Sequence, residues 1–499
     1  MVSRFVIRHL SFVIGVSMIP LRMEVVIPLA KNGRPLFKQV YLGLRQGILS
    51  GTFPAGERLP STRELADQLG VSRTVVLLAF DQLLAEGYAE GRAGSGTYVS
   101  GSLRLNSPRT LGKPARIPLS RFGTAAAAAS RIVEFPDRLP RRLRYDFAYG
   151  GSDLAIFPFE AWRRLLLRHA LKASTRELDY GPAGGMPALR EAISAQLRRS
   201  RAVVCDSSEV IVVNGSQQAL DLVTRVLVER GDSVAVEDPQ YQGIREVVRA
   251  ASAQLAPVPV DRQGLIPAKL PNQARLVFVT PSHQFPTGAI LPLDRRLALI
   301  EWAAKTNAVI VENDRDGEFH YKGRPLESLQ GLDREGRIFY IGTFSRTIFP
   351  ALRIGYMIVP KSLASIFTTA KWLSDQHSAT LEQKTLAEFI ASGMYERHLR
   401  RLRRRNTARR EALLEAIDRY LGDRVEITGA DSGAHVVLWP RESISEADAI
   451  SRAASRGVGV YGISHCFLKR PSRPGLMLGY AALNETQIRE GIRLLSQTL

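Results

Sequence analysis

The sequence predicts an α/β protein of at least two domains: a small helical unit, then a large, mostly parallel sheet covered on both faces, then a smaller α+β domain. Three observations lead there. The strand-like runs EVIVVNG, SVAVEDP, RLVFVTP, AVIVEND and IFYIGT alternate with helical stretches between about Tyr145 and Pro360, and that alternation builds parallel sheets. Ahead of them, short capped helices and a glycine-rich pair of strand-like runs crowd into residues 35–100. At 499 residues the chain also exceeds what one core usually spans.

Residues 1–34 are expected to stand outside both domains. Arg4, Arg8 and the apolar run from Leu10 to Ile19 imitate a secretory signal, but no small-residue cleavage site follows, and the run is far short of the ~20 residues a membrane span needs. The segment reads as an over-long start whose functional initiator is Met23, with a membrane anchor as the alternative. From Leu36 to Ser50 apolar residues recur at helical spacing, and GTFPAGERLPS ends that helix. Ser61 or Thr62 caps a short helix through Leu69, Gly70 supplies the turn, and Ser72 caps a longer helix to about Ala85. Within it Val75, Val76, Leu78 and Phe80 are expected to face the core. EGYAEGRAGSGTYVS then reads as a β-hairpin wing.

Residues 101–143 have the composition of a basic, flexible linker. No acidic side chain occurs from Gly101 to Val133, prolines are frequent, and the run from Ala125 to Ala129 suits a short helix of no assigned role. The second domain is expected over 144–499, its large part at about 170–365 and its small part mainly at 366–499, where HVVLWP and LMLGYAAL supply strands.

The formal charge of +20 is concentrated in three places. Residues 1–35 carry five basic and one acidic side chain, 101–144 ten and two, and 397–410 eight and none, whereas 36–100 holds six of each sign. A basic linker of this kind adds salt-sensitive attraction for phosphates, and a merely solvated tether is the alternative. ERHLRRLRRRNTARREALLEAI fits one long surface helix with Leu399 and Leu402 inward, in preference to a second nucleic-acid site. Cys205 and Cys466 lie far apart in no redox or metal spacing, which fits buried thiols in a reducing cytoplasm; no metal is expected.

RLPSTRELADQLGVSRTVVLLAFDQLLAEGYAEGRAGSGTYVS resembles the GntR-family winged helix-turn-helix along its whole length, with cap, turn, recognition helix and wing in order. The resemblance implies double-stranded DNA as a partner. A helix in the major groove holds its N-terminal residues nearest the base edges, which singles out Ser72, Arg73 and Thr74. Arg63 matches the family's base- or phosphate-contacting arginine, while Gly94 and Gly96 let the wing backbone approach a phosphate or the minor groove.

From about residue 145 onward the chain resembles MocR-type regulators, in which a GntR module is fused to a fold-type I aminotransferase-like domain whose cofactor is pyridoxal 5'-phosphate. In VNGSQQALDLVTRVL a strand ends in a tight loop that opens a helix, so the backbone N–H groups of Ser216 and Gln217 can hold a phosphate. The resemblance implies that Tyr241 stacks on the cofactor ring and that PSHQFPTG lies beneath it. It also implies that Arg353 binds the phosphate and that Tyr180 reaches a phosphate across the interface of a head-to-tail homodimer.

Three positions depart from the pattern. After Ser345 in YIGTFSRTIFPALRIGYMIVP the family has a lysine whose amine joins covalently to the cofactor aldehyde; here it is Arg346, which has no free amine lone pair. In VIVENDRDGEFHY, Asn313 stands where an aspartate pairs the pyridine nitrogen and Arg315 where a tyrosine meets the ring oxygen, although a one-residue slip would make Asp314 the ring partner. Covalent cofactor binding is therefore not expected. Either the cofactor is held non-covalently by its phosphate, or the pocket is retuned for a different anion near Arg315, Arg346 and Arg353. Arg473 is a loose match for an arginine that grips a substrate carboxylate.

Three functions compete: a cytoplasmic regulator whose large domain senses a small molecule, such as an amino acid, a vitamer or another anion; an aminotransferase with an accessory DNA module; and a regulator whose large domain is only a dimerisation scaffold. Arg346 argues against the second, since no residue there can supply covalent catalysis. Arg353, Tyr241 and the Ser216 loop argue against the third. No catalytic residue is assigned.

Overall fold

The structure is a computed structural model that describes residues 27–30, 34–102, 118–130, 143–151, 153–321, 327–442, 444–469, 471 and 473–499. It contains two compact units, Met1–Pro118 and Leu119–Leu499. The proposed start at Met23 lies outside the described residues.

The first unit holds α1 (Leu36–Leu49), α2 (Thr62–Leu69), α3 (Arg73–Ala85) and an antiparallel hairpin of β1 (Ala89–Arg92) and β2 (Gly96–Val99). Ser61 is the cap of α2: its Oγ accepts from the Glu64 N–H at 3.2 Å, and the Glu64 carboxylate accepts from the Ser61 N–H at 3.0 Å. Gly70 ends the helix at φ +63°, a left-handed conformation suited to glycine. Two expectations need correction. Leu78 is 48 % exposed, because Val76, Ala79, Phe80 and Leu83 form the inward stripe of α3 and Leu78 falls on the opposite side. Nor does the whole of 1–34 stand apart: Ile27 joins the core against Gly43, where a Cβ would come within 2.6 Å of it.

The second unit opens with α4 (Arg121–Ala129), β3 (Tyr145–Asp146), α5 (Phe159–Lys172) and α6 (Pro187–Arg201). There follow β4 (Val210–Val213), α7 (Ser216–Leu227), β5 (Ser233–Asp238), α8 (Gln242–Ala250), β6 (Gln254–Asp261) and β7 (Gly264–Leu265). Next come β8 (Ala274–Val279), α9 (Leu293–Thr306), β9 (Val309–Asp314), β10 (Ile338–Thr343) and β11 (Gly355–Ile358). These strands form one sheet in the order β4-β11-β10-β9-β8-β5-β6-β7, parallel from β10 to β6, with β11 antiparallel to both of its neighbours.

The strands are apolar on both faces because both are covered. Val210 and Val212 join the core under α5 and α6, while Ile211 and Val213 pack with α7 and α8. In β8, Leu276 and Phe278 face α7 and α8 while Val277 and Val279 face α9. Each such side chain contributes about 1.5–3 kcal/mol of burial.

The helices α10 (Ala364–Asp375) and α11 (Thr380–Ala391) also pack on this sheet, Phe367 on one face and Leu386 and Phe389 on the other. The large domain therefore runs past the expected limit near 365, since these helices bury their apolar faces against strands rather than against the small domain. The long α12 (Met394–Tyr420) bridges the two: Tyr395 and Leu399 enter the large core, Leu413 and Ile417 the small one. The remainder comprises β12 (Val425–Thr428), β13 (His435–Pro440), α13 (Glu446–Ser455), β14 (Val458–Gly459), β15 (Tyr461–Gly462), β16 (Leu476–Gly479) and α14 (Glu485–Leu495). It has an antiparallel sheet, β12-β13-β16-β15, while β14 pairs with β3. Among the described residues no helix is long and apolar enough to cross a membrane.

Candidate functional site

Open parallel sheets present ligands to the loops beyond the carboxyl ends of their strands, and Ser216, Gln217, Tyr241, Arg315, Ser345 and Arg346 all follow strand ends here. After β4, Asn214 and Gly215 lead into α7, whose first N–H groups have no side-chain cap. Gly215 sits at φ +84°, and a Cβ there would lie 2.7 Å from Nη2 of Arg353, so only glycine lets that guanidinium cross the loop. Arg353 Nη2 donates to the Asn214 carbonyl at 2.9 Å, and Arg353 itself is left-handed at φ +52°. The loop is held from beneath. Asn214 Nδ2 and Gln218 Nε2 donate to Asp375 Oδ2 at 2.6 and 2.8 Å, and the fully buried Lys371 lies 2.5 Å from Asp375 Oδ1. Gln217 Nε2 donates to the Gly243 carbonyl at 3.2 Å, which joins this loop to the segment carrying Tyr241.

Beyond β9 the strand's alternation sorts the side chains. Glu312 and Asp314 face one way: Glu312 accepts from the N–H groups of Leu329 and Gln330, and Asp314 Oδ2 accepts from Arg201 Nε at 2.8 Å and the Tyr340 hydroxyl at 2.7 Å. With Asp314 so engaged, the alternative register that makes it the ring partner loses its support. Asn313 faces the other way, 2 % exposed, and neither its Nδ2 nor its Oδ1 has a hydrogen-bond partner. The Arg315 guanidinium lies over the Tyr241 ring, 4.6 Å from its centre, and 5.7 Å from the centre of the Tyr149 ring; its Nε and Nη1 are buried without a partner.

Arg346 follows β10 and Ser345, whose N–H donates to Thr343 Oγ1 at 3.2 Å. Its Nε lies 3.0 Å from Asp316 Oδ1, its Nη1 donates to the Gly151 carbonyl at 3.4 Å, and its guanidinium sits 5.1 Å from the Tyr149 ring centre. Burial pushes the Asp316 carboxyl up, but Arg346, His283 and Arg315 together outweigh it and hold the group well below the usual carboxylate range. His283 Nε2 and His435 Nδ1 face each other at 3.4 Å; burial pushes these imidazoles down to about 4 and about 3, so both are neutral. With Asp316 they bring three ligating atoms within 4.8 Å, a metal-like spacing. Each residue is already engaged, by Ser432, the Pro286 carbonyl and Arg346, and two guanidinium groups alongside oppose a further cation.

Two residues named from sequence lie apart from this cluster of contacts. Tyr180 is 78 % exposed, its ring edge-on to His377 at 5.8 Å. Arg473 is taken by Glu426 at 2.6 Å and stacks on Trp439 at 4.6 Å. On the basic helix, Leu399 and Leu402 are buried, and Arg409 donates to the Ala481 carbonyl and pairs with Asp153 at 2.8 Å. In the first unit Arg63, Ser72, Arg73, Thr74, Gly94 and Gly96 are all exposed, with Gly94 at φ +71° and Gly96 at φ +115° in the wing. Arg73 Nε lies 3.4 Å from Thr62 Oγ1, so the start of α3 touches the start of α2. Sequence reasoning missed Asp316 and Tyr149. Asp316 carried a weak signal, an acid in the same short run as Asn313; Tyr149, a lone aromatic in a loop, carried none.

Residues 36–99 match the family described as bacterial regulatory proteins, gntR family, and residues 146–495 match aminotransferase class I and II. The probable rhizopine catabolism regulatory protein MocR of Rhizobium meliloti is 38 % identical over 92 % of this chain and 93 % of its own length. The chain belongs to the MocR-type transcription regulators. Another relative in this group, the pyridoxine biosynthesis transcriptional regulator PdxR of Corynebacterium glutamicum, is 31 % identical over 89 % of this chain and 92 % of its own. Among solved structures, LysN of Thermus thermophilus, an α-aminoadipate aminotransferase complexed with a phosphopyridoxyl-leucine, superposes with a TM-score of 0.68 at 28 % identity, over 75 % of this chain and 96 % of LysN. Kynurenine aminotransferase of Pyrococcus horikoshii gives 0.67 at 26 % identity, over 79 % and 96 %.

The aminotransferase-like domain of a MocR-type regulator implies pyridoxal phosphate, and this site fits that group in part. The uncapped α7 start beside Arg353 suits the phosphate, and the unpaired Asn313 amide awaits a ring atom. The guanidinium at 346, bound to Asp316, leaves no amine to join the aldehyde.

Proposed function

We propose that this MocR-type regulator reads DNA through α3 and the wing, and that its aminotransferase-like domain senses a small anionic molecule without turning it over. The observation that carries the reading is Arg346, fixed to Asp316 where covalent chemistry needs a free amine. Ser216, Gln217 and Arg353 would hold a phosphate, Tyr241 would support a ring, and Asn313 and Arg315 would meet its edge. When bound, pyridoxal phosphate brings an aldehyde and an electron-withdrawing ring, but no residue at 346 can engage the aldehyde. The regulator would act in the bacterial cytoplasm, where its DNA lies.

Two features support a route from ligand to DNA. Helix α4, in the segment read as linker, packs on α8, and its Phe122 ring lies 6.0 Å from the Arg225 guanidinium of α7. A cavity of about 540 Å³ separates α4 from Asn214, Gln217 and Arg353, so a ligand at the phosphate loop would lie beside the chain that leads to the DNA-reading unit. Leu167, Leu171, Leu178 and Tyr180 are each at least 59 % exposed, which suits a surface covered by a second copy in a head-to-tail homodimer.

The test is to incubate the full-length protein with pyridoxal phosphate, reduce it with borohydride, and map adducts by mass spectrometry, with amino-group transfer assayed in parallel. No adduct at residue 346 and no transfer are expected, alongside selection of a defined sequence from a random duplex pool. Measurable transfer, or failure to select any duplex, overturns the reading.

A further inference from the structure

Arg315 is a partly buried cation whose nearest carboxylate, Asp316, is ion-paired with Arg346 instead. Among the described residues no carboxylate pairs with it, and its Nε and Nη1 are closed off from solvent without a hydrogen bond. Leaving a charged donor unpaired in this way is expensive unless something else supplies the partner. The unpaired groups gather around it: both polar atoms of Asn313, at 2 % exposure, and the Tyr149 hydroxyl.

The charged and titratable groups near Arg315 do not satisfy it. Tyr149 and Tyr241 face its guanidinium as rings; burial pushes the Tyr149 phenol up, so that it stays neutral. Asp316 is committed to Arg346, and behind it His283 and His435 are uncharged. The cluster of two guanidinium groups and one carboxylate thus carries a net positive charge of one, beside an amide able to donate one hydrogen bond and accept another.

We propose that Arg315 and Asn313 form a recognition pair for a ring ligand that presents an oxyanion to the guanidinium and an unprotonated acceptor nitrogen to the amide. This rests on the sensing role proposed above and deepens it. For a pyridoxal-type phosphate the pair selects one protonation state, the phenolate with a neutral pyridine nitrogen. An aspartate in place of Asn313 would hold that nitrogen protonated, whereas an amide cannot balance a pyridinium charge. The guanidinium stabilises the phenolate by direct charge, where a tyrosine offers only a neutral hydrogen bond. The two departures from the family pattern therefore compensate each other: a negative charge is lost beside the nitrogen and a positive one appears beside the oxygen. The guanidinium rests on the Tyr241 ring, so a ring stacked there must turn it aside, toward the ring's own edge.

The experiment measures binding of pyridoxal 5'-phosphate, 4-deoxypyridoxine 5'-phosphate and inorganic phosphate to the full-length protein, and follows the absorption of the bound ring as pH is lowered. Both ring compounds are expected to bind within threefold of each other, since no bond forms at the aldehyde. The bound ring should keep the phenolate, unprotonated-nitrogen spectrum at pH values where the free ligand has already taken up a proton. Arg315→Gln should weaken ring binding at least tenfold while inorganic phosphate binds unchanged, Arg315→Lys should keep most of the affinity, and Asn313→Asp should return the protonated-ring spectrum. Unchanged phosphate binding also reports that each variant has folded. A ring that binds but titrates as it does in water, or an Arg315→Gln variant of undiminished affinity, overturns this inference and leaves the sensing role standing. If neither ring compound binds, the assignment of a pyridoxal-type ligand falls along with it.

Discussion

Nε of Arg346 lies 3.0 Å from Oδ1 of Asp316, and both side chains are almost wholly buried, at 3 % and 4 % exposure. The pair forms a structural contact between the loops after β10 and β9. A buried ion pair is costly to halve, because the remaining charge keeps its desolvation penalty and loses its partner.

Asp316→Asn should therefore destabilise the second unit by about 3–5 kcal/mol in urea unfolding. The double variant Asp316→Leu/Arg346→Met should recover most of that loss, because it removes both charges. A single variant as stable as the parent would mean that the pair is not formed.

Glu237 gives a pH dependence of known sign. Burial pushes its carboxyl up to about 7 from 4.5, against hydrogen bonds from Thr280 and Gln284. Below the unfolded value both states hold the proton. Between 4.5 and 7 the unfolded chain releases it first, so this group's stabilisation is lost as pH rises through that window, by on the order of 3 kcal/mol. Glu237→Gln should remove the effect, and its stability relative to the parent should rise between pH 5 and pH 8 by thermal unfolding. A constant difference across that range would contradict the shift.

On α3 the inward and outward leucine-rich faces should separate cleanly. Phe80→Ala, which empties a 3 % exposed core position, should cost about 3–5 kcal/mol of first-unit stability. Leu78→Ala, on the open side, should stay within about 0.5 kcal/mol. Equal losses would place Leu78 in the core after all.

Arg73, exposed at the start of α3, should behave as a base reader. Arg73→Ala is expected to weaken binding to the selected operator by about 1–3 kcal/mol and to random duplex far less, measured by fluorescence anisotropy at fixed salt. Equal losses on both duplexes would assign Arg73 to the phosphate backbone instead.

Much of this was legible in the sequence because it is local. The Ser61–Glu64 cap, the Gly70 turn and the alternation of apolar runs with helices each lie within a few residues, and each stands where the pattern put it. What escaped was long-range. Asp314 is held by Arg201, 113 positions away, and by the Tyr340 hydroxyl, contacts that turn it to the opposite side of the strand from Asn313. The helices α10 and α11 fall on the large-domain side of the boundary, which helical periodicity does not reveal, because it says which face is apolar, not which surface covers it. Leu78 was misplaced for a simpler reason: α3 is apolar nearly all round, and such a stripe has no readable edge.

The docking of α4 on α8 has a mechanical consequence. Measured from Ser102, the chain reaches its anchorage at Leu119 after 17 residues instead of at Leu143 after 41. Fully stretched, those lengths correspond to about 60 Å and about 145 Å. Prising that alanine-rich helix from its seat would more than double the number of residues between Ser102 and the next anchored position.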